Sequence, residues 1–265
     1  MNKNIKYYWI NLENASDRKK YMELQFENRK INNHRIIGIT PDKLEDILDD
    51  EPPYFCGYPD CKLNNCNDCP IEYAVLCSHL EAIKTGYNSN EEYFIICEDD
   101  IYFPFDIDFE KIINNLPPEI DIIQFMSISA NHTRIFYDDL YTKNINFIHY
   151  SPIIPSAGFY LIKRKGAEKL LNKYINKLTN KYNFINSRFL KLADVLIYQS
   201  VNTAVSTFPF SIPNIKFKSQ IHPHHYEDHK KAYEMIIEKI KEDNLKNPFI
   251  INYYPSDDFE KLFKS

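Results

Sequence analysis

The 265-residue sequence predicts an α/β domain whose mixed, mainly parallel sheet is flanked by helices. Three observations carry that expectation. Short apolar runs rich in aromatic and β-branched residues recur at 6–12, 34–39, 93–97, 121–126 and 157–163. Helically spaced segments fall between them, at 14–28, 71–85 and 166–174. No internal repeat or low-complexity linker divides the chain, so a single domain over 1–265 is expected.

The first strand is read at 6–12, and Asn14-Ala15-Ser16-Asp17 opens a helix that runs to about Asn28. A second strand follows at 34–39 and stops at Pro41. Residues 51–70 hold four prolines and four cysteines without apolar periodicity, which marks a Cys-rich insertion. Residues 144–150 and 157–163 read as further strands, 166–174 and 193–199 as helices, and about 226–265 as a C-terminal helical tail with its helix at 229–242. Ligands of parallel α/β sheets bind beyond the carboxyl ends of the strands. That rule sets residues 11–18 and Glu98-Asp99-Asp100 on one edge.

Composition removes several function classes. The net charge is -5, so there is no bulk attraction to nucleic acid. The five glycines form neither a G-x-G-x-x-G nor a G-x-x-x-x-G-K-[ST] loop, which argues against dinucleotide oxidoreductases and P-loop enzymes. No run approaches the roughly 20 apolar residues of a membrane span, and residues 1–10 lack a signal-peptide apolar region. An intracellular, cytoplasmic protein is expected. Few Gly with abundant Asn, Ile, Lys and Tyr fits an AT-rich genome, as in some bacteria and large DNA viruses.

Glu98-Asp99-Asp100 directly follows the apolar run Phe94-Ile95-Ile96-Cys97. Three adjacent carboxylates repel one another and resist desolvation. A hard divalent cation such as Mn²⁺ or Mg²⁺ relieves both. Glu98 and Asp100 point the same way if the chain stays extended, and Asp99 then points elsewhere. A solvated acidic turn is the alternative for the triplet.

Four ordered segments resemble glycosyltransferase family 25, which includes lipopolysaccharide-modifying and collagen galactosyltransferases. They are Trp9-Ile10-Asn11-Leu12-Glu13-Asn14 with Arg18, Leu76-Cys77-Ser78-His79-Leu80-Glu81-Ala82, Ile95-Ile96-Cys97-Glu98-Asp99-Asp100, and 158–167 from Gly158 to Ala167. Asp194 sits where the family usually carries an acid. The family's Gly-rich approach to the Ser-His helix is replaced here by Pro70-Ile71-Glu72-Tyr73-Ala74.

The resemblance implies a GT-A, Rossmann-like fold and a metal-dependent, inverting enzyme. Its donor is a UDP-sugar of galactose, glucose or N-acetylhexosamine type. Its acceptor is a glycan, a lipopolysaccharide or a hydroxyl-bearing protein. Asn11, Leu12, Arg18, Glu98 and Asp99 would bind the donor, and Asp100, Glu98 and His222 would hold the metal. Inversion needs a general base, and Asp194 is the candidate, with capping of its own helix as the alternative. His222 leads a cluster with His224 and His225, for which an exposed polar tail is the alternative. His79 lies on the apolar face of its helix and reads as a brace for the donor loop rather than a nucleophile's partner.

Cys56, Cys61, Cys66 and Cys69 allow three readings: a structural Zn²⁺ site, two disulfides, or free thiols. Two functional readings compete with the transferase. One is a metal-dependent phosphohydrolase on the same acids, and the other a non-catalytic glycan-binding module of the same fold.

Overall fold

Along the first strand, β1 (Lys6–Asn11), side chains alternate between two buried faces, with Tyr7 and Trp9 on one and Tyr8 on the other. A strand buried on both sides must be apolar throughout, and 6–11 is nearly so. The computed structural model describes residues 5–57, 69–151, 154–217, 226–242 and 247–255.

After β1 come α1 (Ser16–Arg29), β2 (Asn33–Ile37) and, past a 3-10 turn at Pro41–Lys43, the short α2 (Leu44–Ile47). The long α3 (Cys69–Asn88) leads into β3 (Tyr93–Glu98), β4 (Ile101–Tyr102), β5 (Phe105–Ile107) and α4 (Phe109–Asn114). Then follow β6 (Ile122–Gln124), α5 (Ala130–Lys143), β7 (Phe147–His149), β8 (Phe159–Lys163), α6 (Arg164–Tyr174) and α7 (Ala193–Gln199). The chain continues through β9 (Thr203–Ser206), β10 (Ile212–Pro213), α8 (Tyr226–Glu242) and β11 (Ile250–Tyr253).

Among the described residues, seven strands form the central sheet in the order β2-β1-β3-β8-β6-β9-β7. β2, β1 and β3 are mutually parallel, as are β6 and β9. β8 and β7 run against their neighbours. The sheet is thus mixed and mainly parallel, as the sequence predicts. The reversed β8 matters for function. Its first residue, Phe159, pairs with Cys97 at the end of β3. The segment entering β8 therefore arrives at the edge where the three acids leave β3.

Each face of the sheet carries its own core. On one, Tyr7, Trp9, Ile95, Cys97 and Phe159 pack with Met22 and Phe26 of α1 and Ile236 of α8. On the other, Tyr8, Phe94, Ile96, Tyr160 and Ile162 pack with Leu76 and Leu80 of α3, Leu170 of α6 and Leu196 of α7. Two small ladders fasten the C-terminal part: β10 pairs with β4, and β11 with β5. The region after α8 is therefore not helical throughout, because β11 completes a ladder that sequence periodicity does not reveal. No helix among the described residues is long and apolar enough to cross a membrane.

Gly166 sets how closely α6 approaches β6. A Cβ there would lie 2.7 Å from Asp121 Cβ and 3.0 Å from the Asp121 carbonyl oxygen. Alanine normally gains about 1 kcal/mol over glycine inside a helix. Here the backbone it would strike cannot step aside cheaply. Gly166→Ala is expected to destabilise the protein by about 1–3 kcal/mol, read as a lower urea midpoint at an unchanged slope.

Candidate active site

The end of β3 presents Glu98, Asp99 and Asp100, and the fold gives each a different neighbour. Asp99 turns inward and is buried. It accepts hydrogen bonds from Asn11 Nδ2 at 2.7 Å and Arg18 Nη1 at 2.7 Å. Arg18 comes from the first turn of α1, is buried, and also reaches Asp100 at 3.2 Å. Its guanidinium lies 5.5 Å from the centre of the Phe217 ring. Arg18 is thus buried in an ion pair rather than solvated.

Asn11 has both ends of its amide engaged. Its Oδ1 accepts from Arg35 Nε at 2.8 Å, and its Nδ2 donates to the Ala15 carbonyl as well as to Asp99. Arg35 in β2 also donates to the Leu12 carbonyl at 3.3 Å and pairs with Glu13. Sequence reasoning passed over Arg35. Its signal is a lone cation beside the apolar pair Ile36-Ile37 in a strand. Leu12 is half-buried next to Gly38, where a Cβ would come within 3.0 Å of Leu12 Cδ2.

Glu98 is half-buried, and its Oε1 lies 3.1 Å from His79 Nε2. His79 is fully buried on α3, and its Nδ1 lies 3.2 Å from the Tyr160 hydroxyl. Glu98 Oε2 receives no hydrogen bond from another described residue. The Asp100 side chain is 28% exposed, and Arg18 is the one residue besides itself that bonds its carboxylate among those described. Burial first, and then the charges of Glu98 and Asp99 against the relief from Arg18, push the Asp100 carboxyl up to about 7. Burial likewise raises Asp99, against Arg18 and Asn11.

Asp194 stands in the first turn of α7, but Leu192 is that helix's N-cap. The Asp194 side chain instead reaches across to the segment before β8, where its Oδ2 accepts from Ser156 N at 3.1 Å. Burial raises its carboxyl, the Ser156 N–H lowers it, and Glu72 and Glu98 raise it further. Ser156 has φ +112°, a conformation that costs a non-glycine residue about 1–3 kcal/mol. Four contacts hold it there: its N–H on Asp194, its carbonyl bonded by Gln124 at 2.9 Å and Tyr198 at 3.1 Å, and its Oγ bonded by Gly158 N.

Among the described residues near the triplet, three carboxyl groups meet one guanidinium, Arg18, which leaves an excess of negative charge. Two of them, Glu98 and Asp100, keep accessible oxygens. That donor set suits a hard divalent cation that completes its shell with phosphate oxygens. Among the described residues, no group of three or more Asp, Glu, His or Cys is arranged to hold a metal unaided. His222, His224 and His225 lie outside the described residues. So do Cys61 and Cys66, whereas Cys56 and Cys69 are buried together, with Cys56 N donating to Cys69 Sγ at 3.4 Å. Cys77 and Cys97 are buried thiols, and burial pushes both up in pKa.

Among solved structures, the chain is similar to a glycosyltransferase involved in the glycosylation of the major capsid of PBCV-1. Identity is 10%, coverage is 87% of this chain and 98% of that one, and the TM-score is 0.38. It is also similar to mouse xyloside xylosyltransferase 1 in its apo form, at 10% identity, 74% and 66% coverage and a TM-score of 0.30. A search of the curated proteins returns no match. The family described as glycosyltransferase family 25 (LPS biosynthesis protein) matches residues 4–186, which take in the Asn11, Ser78-His79, Glu98–Asp100 and Gly158 segments and stop short of Asp194. With well over half of its length matched, the chain belongs to glycosyltransferase family 25.

Proposed function

We propose that this glycosyltransferase moves a hexosyl unit from a UDP-sugar to a hydroxyl of a glycan, lipopolysaccharide or protein, with inversion and with Mn²⁺ or Mg²⁺ in the donor site. The observation that carries the reading is the pair of accessible carboxylates, Glu98 and Asp100, at the carboxyl end of β3 in a cluster of excess negative charge. A bound divalent ion would neutralise the donor diphosphate and stabilise the departing UDP.

The chain's own residues have separate tasks in this reading. Glu98 and Asp100 hold the cation. Asp99, Asn11 and Arg18 fix the floor beneath it through their mutual hydrogen bonds. Leu12, beside Gly38 at the ends of β1 and β2, lines the nucleotide side. Asp194 takes the proton from the acceptor hydroxyl as it attacks. Its Oδ2 is steadied by Ser156, and its Oδ1 receives no hydrogen bond from another described residue. A raised pKa makes it a better base than an ordinary carboxylate. His222 is proposed as a further metal ligand. Asn214 N bonds the Asp100 carbonyl at 2.7 Å, so the chain passes the triplet eight residues before His222. The Zn²⁺ reading of Cys56, Cys61, Cys66 and Cys69 stands as a separate structural proposal.

Incubation with a panel of UDP-sugars and Mn²⁺ is expected to release UDP, and a chelator to stop it. Failure of every donor to bind or turn over would remove the transferase reading. Asp100→Asn is expected to abolish metal-dependent UDP binding. In metal-free buffer near pH 8 the same variant should melt higher than the wild type, because it removes an ionised carboxylate that burial and the neighbouring acids disfavour. Unchanged UDP binding would take Asp100 out of the metal shell.

Asp194→Asn is expected to lower kcat about 100- to 10,000-fold with little change in the donor KM. The base must be ionised, and its folded pKa lies above the usual 3.8. Activity should therefore climb with pH along a limb centred above the ordinary carboxylate range. A limb at or below about 4 would exclude Asp194 as the base.

A further inference from the structure

The adjacent pair Ser78-His79 sits at the middle of α3, away from any open surface, and the transfer reaction as derived above uses neither residue. Both are nonetheless fully committed. Ser78 Oγ donates to the Ala74 carbonyl at 2.7 Å and accepts from Ile39 N at 2.8 Å, which ties α3 to the chain just past β2. His79 spends one ring nitrogen on Tyr160 and the other on Glu98.

We infer that His79 is a positioning residue for Glu98: a one-way hydrogen-bond chain, Tyr160 to His79 to Glu98, fixes the direction of the carboxylate that faces the cation. This inference rests on the metal-site reading of Glu98 and Asp100 given above.

With the ring neutral, one polarity supplies Glu98 with a donor. Tyr160 is fully buried in the core, and its phenol stays protonated there because burial strongly disfavours the phenolate. Its O–H donates to His79 Nδ1. The imidazole proton then sits on Nε2 and donates to Glu98 Oε1. The opposite tautomer would aim a nitrogen lone pair at the carboxylate and leave Glu98 without a donor. With Oε1 engaged, Oε2 is the oxygen left for a ligand.

Tyr160 is itself immobilised. Its ring is nearly parallel to that of His79, with centroids 5.9 Å apart, and packs edge-on against Tyr198 at 5.6 Å. Tyr198 donates to the Ser156 carbonyl, and Ser156 N holds Asp194. A single aromatic stack thus braces the metal-side carboxylate through His79 and the base-side loop through Tyr198. Groups that orient the side chains holding a metal typically account for about 10- to 100-fold in metal affinity.

The test is Mn²⁺ binding to the full chain in the presence of UDP, measured by calorimetry, alongside far-UV circular dichroism as the check on folding. His79→Leu keeps the bulk and removes the donor, and is expected to weaken Mn²⁺ about 10- to 100-fold. His79→Gln can place an amide N–H near the position of Nε2–H and is expected to restore most of the affinity. Tyr160→Phe deletes only the hydroxyl and should weaken Mn²⁺ with its far-UV circular dichroism unchanged. It decides the question if the leucine variant does not fold. Wild-type protein that binds no Mn²⁺ would remove the metal site and the brace together. Wild-type binding matched by folded His79→Leu or by Tyr160→Phe would remove the brace alone.

Discussion

Mutual repulsion among Glu98, Asp99 and Asp100 is the constraint around which this end of the molecule is built. Consecutive residues leaving a strand cannot diverge far, so their charges must be met locally. Each is met differently. Asp99 takes the strongest compensation, from Arg18 and Asn11 in the interior. Glu98 receives one bond from a buried imidazole. Asp100 shares what remains of Arg18 and is left with a carboxyl that resists ionisation. The least compensated groups are also the most accessible. A site poised for a cation and a diphosphate follows from this unequal distribution of partners.

The topology brings the second half of the site to the first. Were β8 parallel to β3, the 154–158 segment would enter at the opposite edge of the sheet. Because β8 is reversed, Ser156 and Gly158 arrive beside Glu98, whose N–H bonds the Gly158 carbonyl at 3.0 Å. Asp194 then reaches the site through Ser156, although α7 belongs to a later part of the chain. The unfavourable backbone of Ser156 persists because its N–H, carbonyl and hydroxyl are all bound at once.

Much of this was legible in the residues. The run Tyr93–Glu98 announces a buried strand that delivers acids, and the resemblance in family segments anticipated what the match over 4–186 shows. Other features depend on distant partners and leave no local trace. The direction of β8 is not encoded in the five residues Phe159–Lys163. The helix Ala130–Lys143 carries Asn131, His132 and Thr133 in its first turn, all weak helix formers. Its N-cap, Ser129, bonds His132 N, and the helix packs along α8. The strand Thr203–Ser206 is only four residues long and is defined by β6 on one side and β7 on the other. Likewise, no spacing rule tells that Asp99 turns to Arg18, 81 positions earlier.

The position of Arg35 carries a consequence for the sheet's margin. It holds the Asn11 amide from β2, which among the described residues is an edge strand paired on one side only. Successive strand residues face opposite sides, so slippage of β2 by one residue would carry Arg35 to the far face. Asn11 would then lose the partner that orients it, and Asp99 would lose a donor. Register at an edge strand is usually policed by packing alone. In this fold the alignment of Trp9 with Arg35 is also a condition for the electrostatics of the acidic cluster two strands away.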